Sequence, residues 1–152
     1  MKKHVFTIIE RSSMYEKTIR NNINAPYTLH DRNVIAIDAM ENDLVMRLQS
    51  GILETASPFR LIDGYVEFHD VKWDFSYVYL LGVTGNVGVF TGEKMFMKDF
   101  LHRYKQFGIS IMDETYGYNM TKYNGYLTAN RQFCECVIEI YHEGDMVFVT
   151  EE

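Results

Sequence analysis

The chain has few of the residues that staple, stiffen or span. Of its 152 residues only two are cysteine, Cys134 and Cys136, and only two are proline. Two apart in a run that reads as a strand, the cysteines point to one face and sit too far apart for an easy mutual disulfide. A disulfide scaffold is thereby excluded in practice, and a reducing compartment is expected. Long apolar runs are missing as well. The opening Met1-Lys2-Lys3-His4-Val5-Phe6-Thr7-Ile8-Ile9-Glu10 has an apolar stretch broken by Thr7 and ended by Glu10. That is too short for a signal-peptide core, and no other stretch could cross a bilayer. The expected setting is the cytoplasm, with no membrane partner.

An excess of positive charge is lacking too. Fifteen basic residues face 21 acidic ones, a net charge of −6, so the overall basic footprint that nucleic-acid phosphates require is absent. The acids are dispersed, with modest enrichment at Glu139, Glu143, Asp145, Glu151 and Glu152, and read as solvated surface. His4, His30, His69, His102 and His142 form no pair at helical spacing and no H-E-x-x-H pattern, so no metal site is expected. There is no G-x-S-x-G nucleophile elbow.

Aromatic and aliphatic side chains are abundant. Apolar residues make up 47% and aromatics 14%, led by eleven Tyr and ten Phe, which suffices for a dense core and argues against disorder. Tyrosine is amphipathic, so such a count also permits aromatic-lined grooves. The length suits one domain, 1–152, and neither repeat nor linker divides it.

The local patterns predict an α+β order. Residues 5–10 read as a strand, and Ser13-Met14-Tyr15-Glu16 as a capping box opening a helix to about Asn22, stopped at Asn24-Ala25-Pro26. A strand at 33–38 precedes a second capping pattern, Asp38-Ala39-Met40-Glu41. Leu44, Val45 and Leu48 then recur at helical spacing up to Gly51, placed as the residue just past a helix end. Strands at 59–62 and 65–69 flank the hairpin signal Asp63-Gly64, and a long strand at 73–83 follows, its centre buried on both faces. After a turn at 84–86 and a short strand at 87–90, a helix runs from about Glu93 to Phe107. A strand at 109–112, a short helix at 119–130 and a hairpin of strands 133–141 and 146–150 complete the chain.

One local feature faces phosphate chemistry. In Val89-Phe90-Thr91-Gly92-Glu93-Lys94 a strand runs through a glycine into the predicted helix, whose free N–H groups and dipole favour an anion. The same Thr91 and Gly92 also serve as an ordinary helix cap.

Strand, helix, helix, three-stranded meander, helix, strand, helix, hairpin resembles the element order of the GNAT superfamily of acyl-CoA N-acyltransferases, best over residues 59–149. The resemblance implies a mostly antiparallel mixed sheet flanked by about four helices. It implies acetyl-CoA as cofactor, its pantetheine arm pairing with the strand of Val87 and Val89 in a gap beside 109–112. Its pyrophosphate would rest on Thr91, Gly92 and Lys94. The family's later Asn, aromatic and Phe positions resemble Asn119, Tyr123, Tyr126 and Phe133. Glu67 would then take the proton of an attacking amine through water, and Tyr123 or Tyr126 would protonate the departing thiolate. The departure from the family pattern is that Q/R-x-x-G-x-G/A is reduced to Gly92 alone, with Glu93 beside it. This form is similar to divergent GNAT-like proteins of tailed bacteriophages. The implied function is acetyl transfer to an amine; the alternative is a catalytically inactive GNAT-like viral protein that acts by protein binding, as a virion component or as an inhibitor of a host or defence factor.

Overall fold

A computed structural model of the chain describes residues 9–10, 13–20, 25–82 and 91–151. The first strands are β1 Ile9–Glu10, β2 Ser13–Ile19, β3 Tyr27–Thr28, β4 Asn33–Met40, β5 Asp43–Leu48, β6 Ile52–Glu54, β7 Leu61–Ile62 and β8 Gly64–Phe68. A short 3-10 turn at Trp73–Phe75 leads to β9 Tyr77–Leu81, then β10 Gly92–Phe96 and the helix α1 Met97–Arg103. The long strands β11 Gly108–Gly117, β12 Met120–Ala129 and β13 Gln132–Tyr141 form a meander, and β14 Met146–Glu151 closes the chain.

Eleven of these strands make one sheet in the order β1-β2-β14-β8-β5-β4-β11-β12-β13-β9-β10, and β3-β6-β7 make a second, small one. Every strand pairing among the described residues is antiparallel. The β4–β11 seam is only two residue pairs long, Val34 with Ile109 and Asn33 with Ser110. About that seam the sheet turns over on itself. Phe68 on β8 meets Tyr123 on β12 edge-on, ring centres 6.5 Å apart, and one apolar cluster draws on both halves. Val71 and His142 bridge the two halves at the end away from the seam.

The α+β expectation, with about four helices, is therefore overturned. Among the described residues there is one α-helix, seven residues long. The helix predicted from Ser13 is β2, and the one with Leu44, Val45 and Leu48 is β5. The capping pattern before β5 is in fact the last three residues of β4 and the first of the β4–β5 turn, Glu41 at φ 53°. The helix predicted at 119–130 is β12, where Thr121, Tyr123, Gly125, Leu127 and Ala129 are buried alternately, the period of a strand. Gly125 and the outward Tyr126 disguised that period. Of the helix predicted from Glu93, only α1 forms: Gly92–Phe96 is drawn into the ladder with β9, and Met97 and Phe100 hold the short helix that remains in the core. Neither predicted hairpin pairs with itself. β7 pairs with β6 while β8 pairs with β5 and β14, and β13 and β14 lie in different halves. The expected strand at 87–90 and turn at 84–86 lie outside the described residues. Strands at 33–38, 109–112, 133–141 and 146–150 fall where the patterns placed them.

Two polar groups tie the interior together. Glu114 on β11 accepts from the Thr28 hydroxyl (2.5 Å), the Leu29 amide (2.6 Å) and the Tyr116 hydroxyl (2.8 Å), clamping the end of β3 to the main sheet. His142 is buried beside Phe68, its Nδ1 2.9 Å from the Gly144 carbonyl and its Nε2 2.9 Å from the Thr121 hydroxyl. A carbonyl only accepts, so Nδ1 carries the proton and Nε2 accepts from Thr121. Burial holds this imidazole below its ordinary 6.5, opposed by the hydrogen bond to the Gly144 carbonyl and by Asp145 and reinforced by Arg20. The unfolded chain therefore takes up a proton here before the folded one does. Its contribution is intact above about pH 6.5 and declines as pH falls below that value. Melting curves between pH 7.5 and 5 should show this decline, and His142→Asn should flatten it; an unchanged slope in the variant would refute the assignment.

Candidate functional site

The solvent face of β10, β9, β13 and β12 is built by simple alternation. On β9, Val78 and Leu80 point into the core, so Tyr77, Tyr79 and Leu81 point out. On β10, Met95 packs inward while Lys94 and Phe96 face solvent. Register then sets the rows across the four strands. Phe96, Tyr77, Glu139 and Lys122 form one; Lys94, Tyr79, Val137 and Asn124 the next; Gly92, Leu81, Glu135 and Tyr126 the third.

Aromatic rings on this face pair within and between rows. Phe96 stacks on Tyr77 at 5.2 Å and 25°, Tyr77 and Tyr79 lie 6.5 Å apart, and Tyr126 stacks on Phe133 at 5.2 Å and 11°. Phe75 extends the patch, leaning against Tyr141 at 5.8 Å. Four of its members are substantially solvent-exposed: Phe96 (45%), Phe75 (60%), Tyr126 (39%) and Phe133 (62%). At its centre Glu139 accepts from the Tyr79 hydroxyl at 3.2 Å and pairs with Lys122 at 3.0 Å. The Lys94 ammonium sits 4.0 Å from the centre of the Tyr77 ring and 5.4 Å from that of Tyr79.

No protein-family model, curated protein or solved structure matches this chain.

The expected acyltransferase residues are dispersed. Gly92, Lys94 and Tyr126 do share the face just described, on strands separated by β9 and β13. Tyr123 points the opposite way, fully buried between Phe68 and Tyr116, and burial pushes its phenol far above the ordinary range. Asn119 lies in the β11–β12 turn at φ 53°, its carbonyl accepting from the His142 amide. Val87 and Val89 lie outside the described residues. Thr91 and Gly92 border an open cleft of about 310 Å³ with Leu81, Arg103 and Cys134. Arg103 there is already held by both Glu93 oxygens, at 2.8 and 2.9 Å, and Glu93 opposes an incoming phosphate. The slot for pantetheine was expected between the strand ending at Phe90 and the strand at 109–112. β11 is flanked by β4 and β12, and three strands separate it from β10. Among the described residues the α+β element order on which the GNAT resemblance was built is replaced by a β-rich one.

Glu67 falls on the other half of the sheet. Its carboxylate, with the side chain 14% exposed, meets Lys17 at 3.4 Å and His69 Nε2 at 3.1 Å, while His69 Nδ1 meets Asp43 at 3.1 Å. Both imidazole nitrogens thus face carboxylates, and Glu67 is engaged by Lys17 and His69. The arrangement is an ion-pair ladder across β5, β8 and β2. The thiols are no better placed as nucleophiles: burial raises both, Cys136 up to about 12. Among the described residues no three His, Cys, Asp or Glu side chains converge to hold a metal ion, and no helix is long and apolar enough to cross a membrane.

Sequence reading missed the aromatic face because Tyr77-Val78-Tyr79-Leu80-Leu81 looked buried on both sides. The signal was present in the type of residue. Tyrosine recurs at every second position, and tyrosine suits a surface that is both apolar and wet.

Proposed function

We propose that this chain is a binding protein and that the aromatic face of β10, β9, β13 and β12 docks another protein. The observation that carries this reading is the set of three ring groups on one face, Phe96–Tyr77–Tyr79, Tyr126–Phe133 and Phe75–Tyr141, with Phe96, Phe75, Tyr126 and Phe133 exposed. Protein recognition concentrates its energy in such aromatic anchors, surrounded by polar groups that already have partners. Glu139, Tyr79 and Lys122 satisfy one another, so covering them strands little unpaired charge. A nucleic-acid strand is disfavoured by Glu135 and Glu139 in the same rows and by the net charge of −6. Acetyl transfer to an amine finds no supporting geometry in the strand order.

The test is capture from a lysate with the wild-type chain and with a Phe96→Ser, Phe133→Ser double variant. Both substitutions are at exposed positions, so the melting temperature should stay within a few degrees, while specific capture is lost. An unchanged captured set sinks the proposal. So does a clear rise in melting temperature with acetyl-CoA, which at a hundred times its dissociation constant would stabilise the fold by about 2.7 kcal/mol.

A further inference from the structure

We propose that the β10 end of this face recognises an acidic stretch of a partner protein, laid over Phe96 with its carboxylates on Lys94 and Lys98. The inference rests on the binding reading above and adds the chemistry of what binds.

Its basis is how the chain disposes of its cations. Lys17, Arg47, Arg60, Lys72, Arg103 and Lys122 each lie against a carboxylate. Lys94 and Lys98 have no carboxylate partner among the described residues. Their ammonium groups are held over rings instead, Lys94 over Tyr77 and Tyr79, and Lys98 at 5.0 Å from the centre of the Trp73 ring. A ring fixes an ammonium group in place without neutralising it, and leaves N–H donors free for an anion. Lys94 and Lys98 thus stand two residues to either side of the exposed Phe96 along the chain, each ammonium group positioned over a ring and left with N–H donors to offer.

The anion they fit is a sparse one. Glu93, Asp99 and Asp74 lie on β10, α1 and the 3-10 turn around the patch. A phosphodiester chain, charged at every nucleotide, would be repelled by them over most of its length. A peptide can place a carboxylate at each lysine and apolar side chains on Phe96 and Phe75. β10 also ends the sheet order, so among the described residues no strand pairs with its outer edge, the geometry at which an extended segment adds.

The probe is a fluorescent twelve-residue peptide alternating Glu and Tyr, with an alternating Lys and Tyr peptide and oligothymidine for comparison, all read by anisotropy. The Glu–Tyr peptide should bind and the Lys–Tyr peptide should not. Lys94→Glu with Lys98→Glu, and separately Phe96→Ala, should each weaken binding at least tenfold, and high salt should weaken it further. Lys105→Glu, an exposed change nearby in the chain but off this patch, should leave it unchanged. Melting curves show that each variant is folded. Equal binding by the charge-reversed variant, no binding at millimolar peptide, or tighter binding of oligothymidine overturns the inference. Partner capture that depends on Phe96 and Phe133 in a protein that ignores the Glu–Tyr peptide would refute this inference alone, whereas capture indifferent to both would refute the binding reading beneath it.

Discussion

Gly125→Ala is expected to lower the melting temperature by about 10 °C, from a loss of about 3 kcal/mol. Gly125 sits in the middle of β12, and a Cβ built there would overlap the Ser110 carbonyl oxygen and lie 2.9 Å from its carbon. These are backbone atoms of β11, so no rotamer change relieves the overlap. The approach is close because β11 slips register between Ile111 and Asp113, beside the Gly125–Ile111 pair. A methyl group must therefore push apart strands that pair along nearly their whole length. Gly108→Ala is the control, since a Cβ there meets nothing within 4 Å; it should change stability by less than about 0.5 kcal/mol. Comparable melting temperatures for the two variants would show that β11 and β12 do not approach in this way.

Glu114→Ala should cost about 3 kcal/mol, read as a drop in the urea midpoint, because it removes three hydrogen bonds to a part-buried carboxylate at once. Most of that cost is the penalty of leaving the Leu29 amide and the Tyr116 hydroxyl without an acceptor. Glu114→Gln separates hydrogen bonding from charge. The amide oxygen can take over the Leu29 and Tyr116 contacts made by Oε1, and the new N–H₂ can donate to the Thr28 hydroxyl made free to accept. The glutamine variant should accordingly lose about one third as much as alanine. If alanine costs less than about 0.5 kcal/mol, β3 is not held by this clamp.

Some of the fold was readable residue by residue. In 133–141 buried Cys136, Ile138 and Ile140 alternate with outward Glu135, Val137 and Glu139, and that pattern identifies a strand. Gly51, placed by its pattern just past a helix end, lies instead in a turn between strands, with φ 78°. A side chain there would overlap the Ile62 carbonyl oxygen and lie 2.9 Å from its carbon. The errors share one cause. In residues 13–19, 43–48 and 119–130, capping-type residues and apolar spacings of three and four are compatible with either period when inward and outward positions are both partly apolar. Pairing with neighbouring strands, adjacent in sequence for β12 and distant for β2, resolved them all to strands. The candidate residues lie apart for a related reason: Glu67, Tyr123 and Lys94 were grouped through an α+β order of elements, and the β-rich order places them in a cluster with Lys17 and His69, in the core and on an aromatic face.

By itself the sequence determined a chain with too few cysteines for a disulfide scaffold, acidic overall, dense in aromatic residues and long enough to bury a core. Those are properties of composition and need no neighbours. Only the tertiary structure decided which strands pair, and therefore which side of each strand is inside. Tyr77, Tyr79 and Phe96 became a surface, and Tyr123 became core, because side-chain direction in a sheet follows from register, and register is set by strand pairing and by which face closes over the core, not by the local run of residues.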